Sequence, residues 1–312
     1  MHDETARVTL GREGPTLLPL GVGAFQWGDR WVWGYGRSYS AADVQDAFWT
    51  SLAAGVSLID TAEIYGMGRS ERLIGRFLRT VRVPVLVASK FFPFPWRQRE
   101  LDFFRALEGS LRRLGRSQID LYQIHWPTPL VPIERLMEWM AAAVRRGLIA
   151  QVGVSNFGYE ELRRAYRALD RHGIPLASNQ INFSLLARAP ERTGLLDLCR
   201  ELGVTVIAYS PLGQGLLTGK YSRAQRPPGV RSLSLLPRLR RIDPLLAELR
   251  RMGERYGRSP AQIALRWTIE KGTIPIPGAK TGRQAAENAG ALRFRLSPED
   301  VAALDRVADQ VG

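Results

Sequence analysis

The chain has one cysteine and no long apolar run, and each of these absences excludes a class of protein. Cys199 has no partner for an internal disulfide, so it is expected to be a small core residue. No segment approaches the roughly 18–20 consecutive apolar residues that span a bilayer. The first residues include acids and lack the apolar core of a signal peptide. The sequence therefore predicts a cytoplasmic protein outside the membrane.

Motifs that bind metals and dinucleotides are also missing. The chain has no paired cysteines and no HxH or HExxH spacing, so no metal site is predicted. The stretch GVGAFQ, residues 21–26, has two of the three glycines of the open-sheet dinucleotide fingerprint, and it follows no fitting βαβ unit. A dinucleotide site of the open-sheet kind is therefore not expected.

Lysine is scarce although the chain is strongly basic. The formal net charge is +14, yet the lysines are only Lys90, Lys220, Lys271 and Lys280. The arginines are spread at helical spacing beside acids or apolar residues, which is typical of solvated helix faces. No nucleic-acid partner is predicted. A basic protein associated with RNA or DNA is kept as an alternative, and salt-sensitive co-purification of nucleic acid would support it.

Short apolar runs alternate with longer amphipathic ones along the 312 residues. Apolar and polar residues do not alternate within the short apolar runs, as expected for strands covered on both faces. Eight β–α units predict an α/β fold, a closed (β/α)8 barrel forming one domain over residues 1–312, with an open doubly wound sheet as the runner-up. The predicted strands are Leu18–Ala24, Val56–Ile59, Val85–Ala88, Ile119–Ile124, Ile149–Val154, Leu176–Ile181, Val204–Ala208 and Thr273–Ile276.

Additions to the barrel are expected at three places. The start, VTLGREGPTLLPL, offers two short β runs around glycine-containing turns, which predicts a hairpin closing the bottom of the barrel. The stretch from Pro211 to Tyr256 is much longer than an ordinary βα loop and includes an extra helical pattern, PLLAELRRMGERY. A further helix is expected at the C-terminus.

Candidate catalytic residues follow three neighbouring strands. Active sites of such barrels lie where the strands end. Strand 2 ends in Asp60, with Tyr65 in the loop beyond it, strand 3 runs into Lys90 and strand 4 into His125. Each residue alone has a structural interpretation, as a cap, a rim charge or a packed side chain. Four of them at adjacent strand ends favour one active site.

Carbonyl reduction suits these four side chains. Hydride addition leaves charge on the carbonyl oxygen, so the site needs a proton donor and positive polarisation. Tyr65 is the expected acid, and a neighbouring Lys90 ammonium is expected to lower its pKa from about 10. Asp60 would hold Lys90, and His125 would orient the carbonyl oxygen.

With these residues in place, the sequence resembles the aldo-keto reductase superfamily. The resemblance lies in LIDTAEIYGMGRSE, VASK, DLYQIHWP, VGVSNFG, SNQINFSLL, IAYSPLGQGLLTGKY and IPGAKTGRQAAEN, which occur in the family's order from about residue 18 to 310. It implies a (β/α)8 barrel that uses NADPH, less often NADH, to reduce aldehydes and ketones. The family's catalytic tetrad falls on Asp60, Tyr65, Lys90 and His125.

The resemblance also implies a cofactor site. The nicotinamide amide is assigned to Ser155, Asn156 and Gln180, and the ring is assigned to Tyr209. The pyrophosphate loop and the adenosine end of the site fall on two later segments. These comprise Ser210, Pro211, Leu212, Gly213, Gly215 and Leu217, and then Gly278, Lys280, Arg283, Glu287 and Asn288.

The adenosine segment departs from the pattern of many mammalian members. Those members have a lysine directly after the IP pair, whereas this chain has Gly278, with Lys280 two residues later. Because the segment opens a predicted helix, whose N-terminus favours a phosphate, Lys280 and Arg283 are expected to bind the 2′-phosphate and confer NADPH preference.

Aromatic residues are concentrated after strands 1, 3 and 4. Part of this set is expected to pack the loops, and the rest to line an apolar pocket. The predicted pocket residues are Trp27, Trp33, Phe91, Trp96 and Trp126. The segments WVWGYG, PFPWR and PIPGAK resemble the plant and cyanobacterial branch that includes pyridoxal reductases, which makes aromatic aldehydes such as pyridoxal candidate substrates. A nucleotide-sensing regulatory subunit with the same barrel is the alternative function, and a monomer is expected.

Overall fold

The computed structural model describes residues 6–221, 239 and 241–311. The chain begins with an antiparallel hairpin of β1 (Val8–Thr9) and β2 (Thr16–Leu17), as predicted. The Arg-rich part of the long segment after the seventh barrel strand, residues 222–238, lies outside the described residues.

Eight parallel strands then form a barrel in which each strand pairs with the next along the chain. The amide of Gly23 donates to the carbonyl of Pro277 at 3.1 Å, which brings the two edges of the sheet together. The predicted barrel is confirmed, and the open doubly wound sheet is excluded because the strand order never reverses. The strands are β3 (Gly21–Gly23), β4 (Leu58–Asp60), β5 (Leu86–Phe91), β6 (Ile119–Ile124), β7 (Ile149–Ser155), β8 (Leu176–Asn182), β9 (Thr205–Tyr209) and β10 (Ile274–Pro275).

Helices cover the outside of the barrel, and their ends follow local capping signals. Ser40 caps the first helix through Asp43, and Ser259 caps another through Gln262. The expected extra helices after the seventh barrel strand and at the C-terminus are both present. The helices are α1 (Ala41–Ala53), α2 (Arg69–Leu78), α3 (Glu100–Leu114), α4 (Ile133–Arg145), α5 (Tyr159–Asp170), α6 (Ala189–Arg192), α7 (Leu195–Leu202), α8 (Asp243–Tyr256), α9 (Pro260–Glu270), α10 (Gly282–Ala289) and α11 (Pro298–Val311).

The inside of the barrel changes from apolar to polar along the strands. Leu58, Ala88 and Leu121 belong to a buried cluster with Leu10 and Leu17 of the hairpin, which plugs the lower end. Because side chains alternate along a strand, the residues two positions further on face the same interior. These are Asp60, Lys90 and Gln123, and all three are buried.

Strand β5 is longer than the sequence predicted. It continues through Phe91 instead of ending at Ala88, so Lys90 lies within the strand, in register with Gln123 of β6. A Cβ atom on Gly153 would lie 2.4 Å from the Ser178 hydroxyl, so β7 needs glycine to pass its neighbour. No helix in the described ranges is long and apolar enough to cross a membrane.

Candidate active site

Asp60 and Lys90 form a buried ion pair at the upper end of the barrel. Lys90 Nζ lies 2.8 Å and 2.7 Å from the two carboxylate oxygens of Asp60, and it donates to the Thr61 carbonyl at 2.8 Å. The side chain of Lys90 has no exposed surface, and that of Asp60 is 3% exposed. Burial lowers the pKa of the lysine, and the Asp60 carboxylate opposes that effect.

Tyr65 lies on a tight turn between β4 and α2. Gly66, Met67 and Gly68 have φ angles of 55°, 57° and 77°, so the chain takes three left-handed steps directly after the tyrosine. A Cβ on Gly66 would also lie 2.8 Å from the Gly28 carbonyl, so glycine is needed there for space as well. The turn thereby packs against the loop after β3, which fixes the position of Tyr65.

The hydroxyl of Tyr65 lies 3.4 Å from Lys90 Nζ, a long contact compared with those to Asp60. Burial raises the pKa of Tyr65 well above its usual value, and the Asp60 carboxylate raises it further. The expectation that Lys90 lowers the pKa of Tyr65 is therefore contradicted. Burial is the largest cause of the raised pKa, and the Asp60 carboxylate, which is in direct contact with the Lys90 ammonium, adds to it.

His125 follows β6 and faces the same site. Its ring centroid lies 5.7 Å from that of Tyr65, in an edge-to-face arrangement. Burial, and then the charge of Lys90, lowers the pKa of His125 to about 3, so the imidazole is neutral near pH 7. Nδ1 of His125 has no hydrogen-bond partner among the described residues.

Two glutamines complete the surroundings of Asp60. Gln180 Nε2 donates to Asp60 Oδ1 at 2.7 Å, and Gln123 Nε2 lies 3.4 Å from the same oxygen. Gln123 was not predicted from the sequence, although its spacing of two residues from Leu121 on the strand and from His125 just after it gives the signal. These donors fix the orientation of the Asp60 carboxylate.

The residues assigned to the nicotinamide amide form one connected network. Ser155 Oγ donates to the Gln180 carbonyl at 2.9 Å, and Asn156 Nδ2 donates to the His125 carbonyl at 3.0 Å. The Tyr209 hydroxyl donates to Asn156 Oδ1 at 2.9 Å. The structure thus brings Ser155, Asn156, Gln180 and Tyr209 to the edge of the site that contains Asp60 and His125.

Strained backbone is concentrated in the loops at this end of the barrel. In the described part of the chain, positive φ angles of non-glycine residues occur at Met67, Asn156, Ser210 and Gln214. All four follow barrel strands, and such strain collects at functional sites. The predicted pyrophosphate loop, Ser210 to Leu217, includes a 3₁₀ turn over Gly213–Thr218. Leu217 is fully buried, so its side chain packs in the core.

The predicted adenosine segment lies at the start of α10, which Thr281 caps through the Gln284 amide. Lys280 Nζ donates to the Trp33 carbonyl at 3.0 Å and lies 4.4 Å from the centroid of the Tyr39 ring. Arg283 is exposed on the first turn of the helix. Lys280 is therefore tied to the loop after β3, whereas Arg283 projects from the helix surface.

Three further residues of that segment pack locally. A Cβ on Gly278 would lie 2.6 Å from Gln26 Nε2, which explains why a small residue occupies this position. Asn288 is buried, and its amide lies 3.4 Å from the Gly278 carbonyl. Glu287 is exposed and contacts the Ser259 hydroxyl.

Comparison with known proteins agrees with this geometry. The sequence profile of the Aldo/keto reductase family matches residues 19–309. The chain belongs to this family. The chloroplastic pyridoxal reductase of Arabidopsis thaliana is 39% identical over 308 residues, which cover 95% of this chain and 84% of that protein.

Two further proteins extend the likeness. An uncharacterised oxidoreductase of Mycobacterium tuberculosis is 43% identical over 296 residues, which cover 93% of this chain and 88% of that protein. The crystal structure of an aldo-keto reductase from Klebsiella pneumoniae in complex with NADPH has a TM-score of 0.78 and 29% identity, covering 99% of this chain and 95% of that chain. The resemblance expected from the sequence motifs is thereby confirmed, and the chain is an oxidoreductase of the aldo/keto reductase family.

Two of the five predicted pocket residues lie in the core of this aldo/keto reductase. Trp27 has no exposed surface, packs against Phe48 and Phe77, and donates its indole N–H to the Ala279 carbonyl at 2.7 Å. Phe91 is also fully buried and packs against Phe103. These contacts are at odds with a substrate-lining role, because both side chains point away from solvent and into the helix layer.

The rings that do surround Tyr65 form a chain of aromatic contacts. Phe25, missed in the sequence, lies 4.9 Å from Tyr65 and 6.3 Å from Trp33 between ring centroids. On the other side, Phe92 lies 5.4 Å from His125. Phe94 lies 4.6 Å from Phe92 and stacks on Trp96 at 4.7 Å. We call the rings of Phe92, Phe94 and Trp96 the aromatic wall.

The outer aromatic residues of the predicted pocket differ in how much of their surface is exposed. Trp96 is 71% exposed and Trp126 is 46% exposed, so both lie at the rim. Trp33 is partly buried, and its ring lies 5.1 Å from Lys280 Nζ of the adenosine segment. A buried carboxylate, Glu63, also lies beside the wall and was not predicted, because nothing in its spacing marks it.

Among the described residues, no group of three or more metal-ligating side chains is present.

Proposed function

We propose that this protein reduces aldehydes and ketones to alcohols, with NADPH as the hydride donor and Tyr65 as the proton donor. The observation that carries the proposal is the position of the Tyr65 hydroxyl, beside Lys90 at 3.4 Å and next to a neutral His125. A proton donor and a hydrogen-bonding imidazole beside a buried cation are the parts that a developing alkoxide needs.

The side chains at this site carry chemical groups that suit the binding of NADPH. Ser155, Asn156 and Gln180 offer hydroxyl and amide groups beside the catalytic residues, which suits a carboxamide. Arg283 and Lys280 place two cations at the start of α10, where the helix dipole also favours a phosphate. The aldo-keto reductase of Klebsiella pneumoniae that was crystallised with NADPH supports the same assignment.

The proposed mechanism assigns one task to each of the four residues. Bound NADPH would supply the hydride for the carbonyl carbon. Tyr65 transfers its hydroxyl proton to the carbonyl oxygen, and its raised pKa keeps that proton in place until charge develops. His125 is neutral, so it orients the carbonyl oxygen as a hydrogen-bond donor without competing as an acid. Asp60 fixes Lys90, whose ammonium stabilises negative charge at the tyrosine oxygen.

Aromatic aldehydes, pyridoxal among them, are the proposed substrates. Phe25 lies beside Tyr65, and Phe92 lies beside His125 with Phe94 packed against it. Flat apolar walls of this kind favour planar ligands. The pyridoxal reductase of Arabidopsis thaliana supports the choice of pyridoxal.

The experiment is NADPH oxidation followed by absorbance against a panel of aldehydes that includes pyridoxal, benzaldehyde and propanal. Wild-type protein is expected to turn over the aromatic members with the highest kcat/KM, and Tyr65→Phe to lower kcat by about 10²–10⁴-fold. NADPH binding without turnover of any carbonyl would favour the regulatory-subunit alternative instead. Undiminished turnover by the Phe variant would show that another group donates the proton.

A further inference from the structure

We infer that Glu63 and Arg97 act together as positioning residues that set the preference for aromatic over aliphatic aldehydes. They do so by holding the aromatic wall against His125. The inference rests on the proposed function. It goes beyond that function because the charged groups of Glu63 and Arg97 do not contact the four catalytic side chains. It assigns the preference for one class of aldehyde to the Glu63–Arg97 ion pair.

The carboxylate of Glu63 has two donors at one oxygen. Oε1 accepts from the backbone N–H of Phe92 at 2.8 Å and from Arg97 Nη1 at 2.6 Å. The side chain of Glu63 is only 7% exposed and that of Arg97 is 24% exposed. Burial raises the pKa of Glu63, and the Phe92 amide and Arg97 oppose that shift. Both donors come from the loop after β5, so the buried carboxylate depends on this loop for the bonds that offset the cost of its burial.

Arg97 in turn fixes the course of that loop. Its guanidinium lies 3.3 Å from the Phe92 carbonyl and 5.1 Å from the centroid of the Phe94 ring. Glu63 thus binds the amide of Phe92 while Arg97 approaches its carbonyl, so the peptide groups on both sides of this residue are restrained. The orientation of the Phe92 ring relative to His125 depends on these contacts.

Position in the fold connects the pair to catalysis. Glu63 lies two residues before Tyr65, and its own amide lies 3.5 Å from the Lys90 carbonyl. The ion pair therefore joins the loop that carries the proton donor to the loop that carries the wall. A small displacement of the wall would change how a planar substrate lies against His125. Misplacing a substrate by about 1 Å can lower the reaction rate on the order of a hundredfold.

The protein contains a matched pair that lacks this connection. Glu71 and Arg113 form an ion pair at 2.6 Å, with side-chain exposures of 0% and 25%, and Glu71 also accepts from the Ser89 hydroxyl at 2.6 Å. This pair joins α2 to α3 and, through Ser89, to β5, and it touches no ring of the wall. Because the charge of Glu71 also acts on Lys90, Glu71→Gln is expected to change the rates for both aldehydes alike and to leave their ratio unchanged. It controls for the general effect of breaking a buried ion pair.

The test compares Glu63→Gln, Arg97→Met, their double variant and Glu71→Gln. Glu63→Gln keeps an oxygen that accepts from the Phe92 amide but loses the charge that binds Arg97. We expect the ratio of kcat/KM for benzaldehyde over propanal to fall about tenfold in each single variant, chiefly through KM for benzaldehyde. The double variant should be no worse than the more affected single variant, because the residues act as a pair. Arg97→Lys should recover part of the ratio.

Amide hydrogen exchange over residues 91–99 gives a readout that does not depend on turnover. Exchange should accelerate there in Glu63→Gln and Arg97→Met but not in Glu71→Gln. The inference is overturned if exchange is unchanged, or if Glu71→Gln lowers the benzaldehyde ratio equally. If the wild type reduces no aldehyde, the proposed function fails, while the exchange result still decides whether the pair holds the loop.

Discussion

Lys90 Nζ lies 2.7 Å from Asp60 Oδ2 and 3.4 Å from the hydroxyl of Tyr65, so the ammonium is held by the carboxylate and approaches the tyrosine more loosely. The positive charge of Lys90 is therefore balanced by the Asp60 carboxylate before the reaction. In the proposed mechanism, the Lys90 ammonium would stabilise negative charge as it develops on the tyrosine oxygen. Such a preorganised arrangement costs little reorganisation during the proton transfer.

Removing the charge of Asp60 should strongly destabilise the fold. Asp60→Asn leaves the Lys90 ammonium buried without its counter-ion, and losing one partner of a buried pair costs about 3–5 kcal/mol. The free energy of unfolding, measured by urea denaturation at pH 7, should fall by that amount. The double variant Asp60→Asn/Lys90→Met removes the unpaired charge and should recover most of the loss. A double variant as unstable as the single one would mean that the packing of Asp60, rather than its charge, is what matters.

The reduction rate should show no basic limb below about pH 10. In the proposed mechanism Tyr65 donates in its protonated form. Burial and Asp60 raise its pKa above the usual value of about 10, so the proton is retained at alkaline pH. The measurement is kcat at saturating NADPH and aldehyde between pH 6 and pH 10. A decline with a midpoint near pH 8 that is matched by the appearance of tyrosinate absorbance would show that Tyr65 loses its proton there, whereas a decline without that absorbance would report the Lys90 ammonium, whose pKa burial lowers.

Acid should destabilise the protein through His125. The unfolded chain binds a proton on this imidazole below about pH 6.5, whereas the folded protein, with the pKa lowered to about 3, does not. Between these values the His125 contribution to the free energy of unfolding should fall by about 1.4 kcal/mol per pH unit as the pH decreases. His125→Gln should lose this part of the slope between pH 6 and pH 4. Equal slopes for the two proteins would contradict a neutral buried histidine.

Cofactor preference should depend on Arg283 and Lys280. Arg283→Ala removes an exposed cation from the first turn of α10 and should raise the KM for NADPH about tenfold or more, while leaving the KM for NADH nearly unchanged. Lys280→Met should have the same direction, and it also removes the bond to the Trp33 carbonyl. An unchanged KM for NADPH in Lys280→Met would assign this lysine to the loop after β3 alone.

Exposed arginines elsewhere provide the control for that experiment. Arg164 pairs with Glu134 on the outer helices, and Arg164→Ala removes one positive charge far from α10. Its KM for NADPH should match that of the wild type. An equal rise in Arg164→Ala would mean that net charge, not a phosphate site, governs the affinity.

The sequence by itself determined the architecture and the chemical groups at the strand ends. Apolar runs alternating with amphipathic ones specify parallel strands covered by helices, and active sites of such barrels lie at one end. Asp60, Lys90 and His125 could therefore be assigned to one mouth before any distance was known. The main error in this region was the length of β5, which continues through Phe91 because its polar residues face a buried interior.

Only the tertiary structure decided which aromatic rings surround Tyr65 and in which direction its pKa moves. Trp27 follows a strand just as Phe25 does, and Phe91 ends the strand that Phe92 follows. Trp27 and Phe91 nevertheless pack in the core, because the direction of a side chain depends on contacts between distant segments. The Glu63–Arg97 pair bridges residues 34 positions apart. The pKa of Tyr65 follows from burial and from the nearby Asp60 and Tyr209, and a linear pattern of residues does not directly encode either effect.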